Sequence, residues 1–305
     1  MNNNNNNQNK KLNDSSIPPS GGGGASLIEC SRDAMQGWPH FIPTEQKIKY
    51  INALLKVGFD TIDFGSFVSP KAIPQMADTN EVIKGLRLKA EGTKLLAIVA
   101  NTRGAEEAIA FDAITYLGFP FSISSTFQQR NTNSTIEESL IRVEEIQELC
   151  IKNNKQLVIY LSMGFGNPYG DAYNEETLLQ WADAMVNRNI NIISLADTIG
   201  VATAAQISFA LKTLIPNHPA TTIGVHLHST SSNWKEKLQA ALDAGCTRLD
   251  GALKGIGGCP FAQDDLIGNM DSELMISYLA EKNLLKGIDT NALQESLLIA
   301  DEIFK

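Results

Sequence analysis

Two histidines one residue apart, His226 and His228, stand at the end of an apolar run that passes through Ile223, Val225 and Leu227. Side chains alternate faces along a strand, so both imidazoles point one way while Val225 and Leu227 point the other. Two imidazoles buried side by side without partners are costly. A divalent metal is one remedy, because neutral imidazole is the commonest protein ligand for it. Hydrogen bonds in the core, or water at a strand end, are another. The pair alone does not choose between them.

Other polar groups follow apolar runs in the same manner. Arg32 and Asp33 come after the run at 26–30. Asp63 lies inside the run at 61–65, with Ser66 just beyond it. Asp197 and Thr198 follow 192–196. After 248–253 come Lys254, the segment Gly255-Ile256-Gly257-Gly258-Cys259-Pro260, and then Asn269. Carboxylates, imidazoles and an amide together make a donor set suited to an octahedral site for Mg²⁺ or Mn²⁺. The 4 cysteines are scattered, with no CxxC pair, so a structural zinc cage is not expected.

Taken singly, most of these residues have plainer readings. Arg32 and Asp33 make sense as a loop ion pair, Asp63 and Asp197 as acceptors of backbone amides, and Asn269 as a helix cap near Asp271. The glycine-rich segment resists such a reading, since three glycines in four positions cost chain entropy unless something needs close backbone approach. Cys259, on that loop, is placed to donate or accept a proton if the loop closes over a substrate. Cys30, Cys150 and Cys246 read as buried small residues. His40 and His218 lie in Pro-flanked loops and receive no role.

For these groups to converge, the strand ends must converge. The chain alternates short β-rich runs (26–30, 61–65, 95–100, 114–117, 157–163, 192–196, the histidine strand and 248–253) with amphipathic segments. Helices are expected from a Thr44 cap to Gly58, at 78–88, from 104, and at 135–153, where Thr135 and Glu138 fit a capping box. Others are expected at 175–188, 204–214, 233–244 and 272–282. A final helix at 291–304 offers Leu293, Leu297, Leu298 and Ile303 as a packing stripe. This α/β alternation over residues 26–305 predicts a single (β/α)8 TIM barrel with an extra C-terminal helix, whose active site sits at the strand C-termini. The alternative, an open doubly wound sheet, calls for a Gly-rich phosphate loop after the first strand, and Cys30-Ser31-Arg32-Asp33 is not one.

Residues 1–25 differ in kind. An asparagine run, a Ser-Ile-Pro-Pro-Ser cluster and four glycines cannot bury enough apolar surface to offset ordering entropy, so a disordered tail is expected. It has no apolar core for a secretory signal and no arginine, which makes it a poor mitochondrial presequence. A net charge of −9 argues against nucleic-acid or anionic-membrane partners. No apolar run approaches the roughly 20 residues a membrane span needs. Scattered thiols suit a reducing compartment, and a cytoplasmic location is expected by elimination.

Arg32-Asp33, the run Ser66-Phe67-Val68-Ser69-Pro70-Lys71, Asp197-Thr198-Ile199-Gly200, His226-Leu227-His228 and the segment from Gly255 to Ala262 together resemble the 3-hydroxy-3-methylglutaryl-CoA lyase family. The resemblance runs from Leu27 to the last helix, and the Cys-Pro glycine loop is its most specific part. It implies a barrel lyase that cleaves 3-hydroxy-3-methylglutaryl-CoA to acetyl-CoA and acetoacetate, in leucine catabolism and ketone-body formation. It implies Asp33, His226, His228 and Asn269 as ligands of Mg²⁺ or Mn²⁺, and Arg32 as stabiliser of the enolate oxygen. Cys259 would be the proton donor and Asp197 an acidic residue important for activity; His226 is also a candidate base. Asp63 stands where the family usually has glutamate, and Ser229 where an aspartate often follows the histidines. Lys254 and Lys71 are candidate contacts to the CoA phosphates. A homodimer is implied by the resemblance alone. Two other readings are a condensing synthase using acetyl-CoA and a 2-oxo acid, and a non-catalytic binding barrel.

Overall fold

The structure, a computed structural model, describes residues 24–89, 92–258, 267–285 and 287–305. Eight parallel strands close into a barrel in chain order. They are β1 (Ser26–Glu29), β2 (Thr61–Ser66), β3 (Lys94–Ile98), β4 (Ile114–Ser122), β5 (Gln156–Ser162), β6 (Ile192–Asp197), β7 (Thr222–Leu227) and β8 (Arg248–Gly251). The seam closes where β1 pairs with β8, Ser26 opposite Arg248 and Glu29 opposite Gly251. The helices are α1 (Ser31–Gln36), α2 (Thr44–Leu54), α3 (Thr79–Lys84), α4 (Thr102–Ile109), α5 (Ser125–Thr132) and α6 (Ile136–Lys152), followed by α7 (Glu175–Val186), α8 (Ala204–Asn217), α9 (Trp234–Asp243), α10 (Ser272–Glu281) and α11 (Thr290–Ile303). Nearly every strand residue is buried, because one side faces the barrel interior and the other the surrounding helices. None of the described helices is long and apolar enough to cross a membrane.

The barrel expectation holds, and its deviations have local causes. At α6 the capping box is complete, with Glu138 N donating to Thr135 Oγ1 at 3.1 Å and Thr135 N to Glu138 Oε2 at 2.9 Å. The expected Thr44 cap is displaced: Pro43 occupies that position, and the Thr44 hydroxyl donates instead to Asp78 Oδ2 at 2.7 Å. β4 continues five residues past the predicted end, pairing with β5 as far as Ser122 opposite Ser162. Gly118 there is not a breaker. A Cβ on it would sit 2.6 Å from Ile98 Cδ1 and 3.0 Å from Tyr160 Cε2, so the crowded interior demands glycine. Two short helices, α1 and α5, have no counterpart in the sequence reading, being too short to show a helical period.

The predicted tail lies outside the described residues except at its end. Ala25, assigned to it by composition, donates its N–H to Leu284 O at 2.7 Å and so belongs to the folded part.

Candidate active site

α1 begins as soon as β1 ends, with Cys30 in its capping position. Its first turn therefore delivers Arg32 and Asp33 over the barrel mouth, both buried. Arg32 lies between two carboxylates. Its Nε donates to Asp63 Oδ2 at 3.0 Å, Nη2 to the same oxygen at 2.5 Å, and Nη1 to Asp33 Oδ1 at 2.9 Å. Burial opposes the guanidinium charge, but Asp63 and Asp33 outweigh it and hold the charge in place. Burial pushes Asp63 up to about 6 against the pull of Arg32, so the carboxylate is still mostly ionised at neutral pH. For Asp33, burial is outweighed by the charges of Arg32, His226 and His228, which hold it at about 2. A further bond comes from Gln36 Nε2, 3.0 Å from Asp33 Oδ1.

Asp33, His226 and His228 each turn one ligand atom into a cluster in which all lie within 4.8 Å of one another. Alternation along β7 brings the rings to 5.3 Å between centroids, as the spacing predicted. Burial and the neighbouring His226 push His228 down to about 3, so its imidazole is neutral and keeps a lone pair at neutral pH. Asn269 pairs with His228 through an isolated antiparallel bridge. It donates Nδ2 to Asp33 Oδ2 at 2.7 Å and to Ile256 O at 3.0 Å. Its Oδ1 is buried with no partner among the described residues. An ionised carboxylate, neutral imidazole nitrogen and an unsatisfied amide oxygen form a donor set that fits a hard divalent cation.

The glycine loop explains itself here. Gly257 has φ +112°, and a Cβ on it would meet Asn269 Nδ2 at 2.4 Å and Asp33 O at 3.0 Å. The backbone must come this close to pack against Asn269 and Asp33. Cys259 lies outside the described residues.

A cleft opens from the cluster. Arg32, Asp33, Asp63, His226 and His228 line one end, and the walls include Val68, Ile73, Ile98, Pro120 and Phe127. A polar reacting end joined to an apolar gallery suits a substrate with a charged head and a long acyl arm.

Two predicted residues stand apart from this cleft. Asp197 is turned away and clamped: Lys237 Nζ donates to its Oδ2 at 2.6 Å, and to Gly200 O at 3.0 Å and His228 O at 2.8 Å. It therefore acts through Lys237 on the backbone that carries His228, and its neighbour Thr198 lines the cleft instead. Lys254 pairs with Asp301 of α11, which removes it as a free phosphate contact. Lys71 is exposed next to Ala72, which lines the cleft. Sequence reasoning missed Gln36, Lys237 and Asp250. A lysine on an amphipathic helix reads as solvated, and Asp250 lay inside an apparently apolar strand. Only Gln36, one turn from Asp33, carried a visible signal.

The model of the HMGL-like family matches residues 29–298, from the end of β1 into α11. The chain belongs to the HMGL-like family. It is 35% identical over 269 residues to a hydroxymethylglutaryl-CoA lyase of Bacillus subtilis, covering 88% of each chain. Identity to the mitochondrial hydroxymethylglutaryl-CoA lyase of Bos taurus is 32%, over 87% of this chain and 81% of that one. Among solved structures, an HMG-CoA lyase of Bacillus subtilis superposes with a TM-score of 0.86 at 32% identity, covering 92% of this HMGL-like chain and 94% of the other. An HMG-CoA lyase of Acinetobacter baumannii, solved with coenzyme A and 3-methylmalate, superposes with a TM-score of 0.82 at 31% identity, covering 89% and 88%. The carboxyl transferase domain of Rhizobium etli pyruvate carboxylase shares the fold at 16% identity.

Proposed function

We propose that this chain is a carbon–carbon lyase that cleaves 3-hydroxy-3-methylglutaryl-CoA to acetyl-CoA and acetoacetate, with Mg²⁺ or Mn²⁺ as its ion. The observation that carries the reading is the unsatisfied Oδ1 of Asn269 beside Asp33, His226 and His228, at the polar end of a cleft with apolar walls. Likeness to lyases across most of the chain supports the substrate.

In the reaction the C3 hydroxyl loses its proton and the C2–C3 bond breaks. The bonding electrons pass into the thioester carbonyl, giving acetoacetate and the enolate of acetyl-CoA. A proton delivered to the enolate carbon completes acetyl-CoA. When bound, the divalent cation, held by Asp33, His226, His228 and Asn269, polarises substrate oxygens and acidifies the hydroxyl. Arg32 is held by Asp63 and Asp33 before substrate arrives, so its charge meets the developing enolate oxygen without reorganisation. Asp33 and His226 are our candidates for the base that takes the hydroxyl proton, whichever of the two is not holding the cation at that moment. Cys259 is our assignment for the proton returned to carbon. Lys71 is the contact we assign to the CoA phosphates.

Acetoacetate release from 3-hydroxy-3-methylglutaryl-CoA, followed with Mn²⁺ and then with excess chelator, tests the reading. Metal-dependent release is expected, with kcat lowered about 10²–10³-fold in Arg32→Met. No release with any divalent ion, together with acetyl-CoA condensation onto a 2-oxo acid, would move the chain to the condensing synthases.

A further inference from the structure

Beneath the cleft the barrel interior holds a layer of polar groups that the proposed reaction does not use. β7 and β8 are in register with His226 opposite Asp250, which lies behind the imidazole and away from the cleft. Asp250 is 2% exposed, and its side chain is fully buried. Neither carboxylate oxygen has a hydrogen-bond donor among the described residues. His226 faces it, with Nδ1 3.4 Å from Asp250 Oδ2. Nδ1 also lies 3.9 Å from Cys30 Sγ.

The rest of the layer supplies further donors. Arg248 lies two residues before it on β8 and is 4% exposed, with Nε and Nη2 buried and unpartnered among the described residues. Burial opposes its charge, and Asp250 is the strongest influence supporting it. Tyr160 OH is also buried without a partner, and burial, then the charge of Asp250, push its phenol well up, so it stays a donor. Arg248 and Tyr160 are thus donors rather than acceptors for the His226 proton, and a buried carboxylate without hydrogen bonds is unfavourable.

We propose that Asp250 is a positioning residue for His226: it holds the Nδ1–H tautomer and fixes the ring so that the Nε2 lone pair faces the cleft. A carboxylate behind a ligating or basic imidazole sets both tautomer and orientation. The same arrangement serves whether Nε2 meets a cation or the substrate hydroxyl proton. The inference rests on the cleft reading above only for the use made of Nε2.

Two-bond ¹H–¹⁵N correlation spectra of metal-free, ¹⁵N-histidine-labelled protein test it, with His226 assigned by the peaks lost in His226→Gln. A protonated Nδ1 and an unprotonated Nε2 are expected in the wild type. The opposite tautomer in the wild type overturns the proposal, whatever any variant does. In Asp250→Asn, whose amide can donate to Nδ1, the Nδ1–H signature should disappear. Its Mn²⁺ affinity by calorimetry should fall about 10–100-fold. A folded Asp250→Asn with the wild-type tautomer and wild-type Mn²⁺ affinity also overturns it. If the wild type shows the expected tautomer yet releases no acetoacetate, the substrate reading falls and the positioning role stands.

Discussion

Two buried polar regions of this barrel lie a few residues apart and behave oppositely. Behind β6 and β7, Lys237 spends its three N–H donors on Asp197, Gly200 O and His228 O, while Asp197 also accepts from Ala202 N at 3.0 Å. Over the barrel mouth, among the described residues, Asn269 keeps a buried oxygen without a partner, and neither oxygen of Asp250 has a donor. The saturated region has nothing left to offer a ligand and serves as a brace. The unsaturated one retains free lone pairs at a cost to stability, and that is where binding has something to gain. Burial and charge alone do not separate the two, since both contain buried carboxylates beside buried cations.

Breaking the unsaturated side should show the largest effect. Asp33→Asn removes a ligand and one arm of the Arg32 clamp, and should lower kcat/KM in the acetoacetate assay about 10³-fold, equivalent to ~4 kcal/mol. Urea unfolding should show little loss of stability. Breaking the brace should do the reverse. Lys237→Met leaves Asp197 buried without its cation and should cost about 3–5 kcal/mol in urea unfolding. A variant as stable as the wild type would show that the brace does not hold the site. Gly257→Ala sits between the two cases. Its φ of +112° and the 2.4 Å approach to Asn269 Nδ2 predict a loss of about 1–3 kcal/mol, together with weaker Mn²⁺ binding by calorimetry.

A pH-dependent effect concerns Glu29, which is buried where β1 meets β8 and accepts from Ser272 Oγ at 2.6 Å and Leu253 N at 2.9 Å. Burial nevertheless pushes it up to about 8 from an ordinary 4.5. The folded protein therefore binds this proton more tightly than the unfolded chain. Its contribution to stability is fully present below about pH 4.5 and is lost as pH rises to about 8. Urea midpoints of the wild type should fall between pH 5 and 8 relative to Glu29→Gln; parallel curves would show that Glu29 stays ionised in the fold.

The periodic features were legible in the sequence. Strand alternation put His226 and His228 on one face, and the βα repeat implied a closed barrel with Arg32, Asp33 and Asn269 at its mouth. Elements too short to repeat their period clearly escaped: α1 and α5 span six and eight residues, and their sequences look like loop. Asp197 was legible as important but not as a brace, because its partner Lys237 lies 40 residues away on α9. Asp250 was legible only as part of a strand.

By itself the sequence determined which residues share a strand face and that eight strands alternate with helices. These follow from local sterics and the two-residue repeat of a strand. Tertiary structure alone decided which buried charges are saturated and which are left open. That depends on strand register across the barrel and on partners distant in sequence: Asp250 meets His226, Lys237 meets Asp197, and Asn269 meets Asp33 only once the barrel has closed.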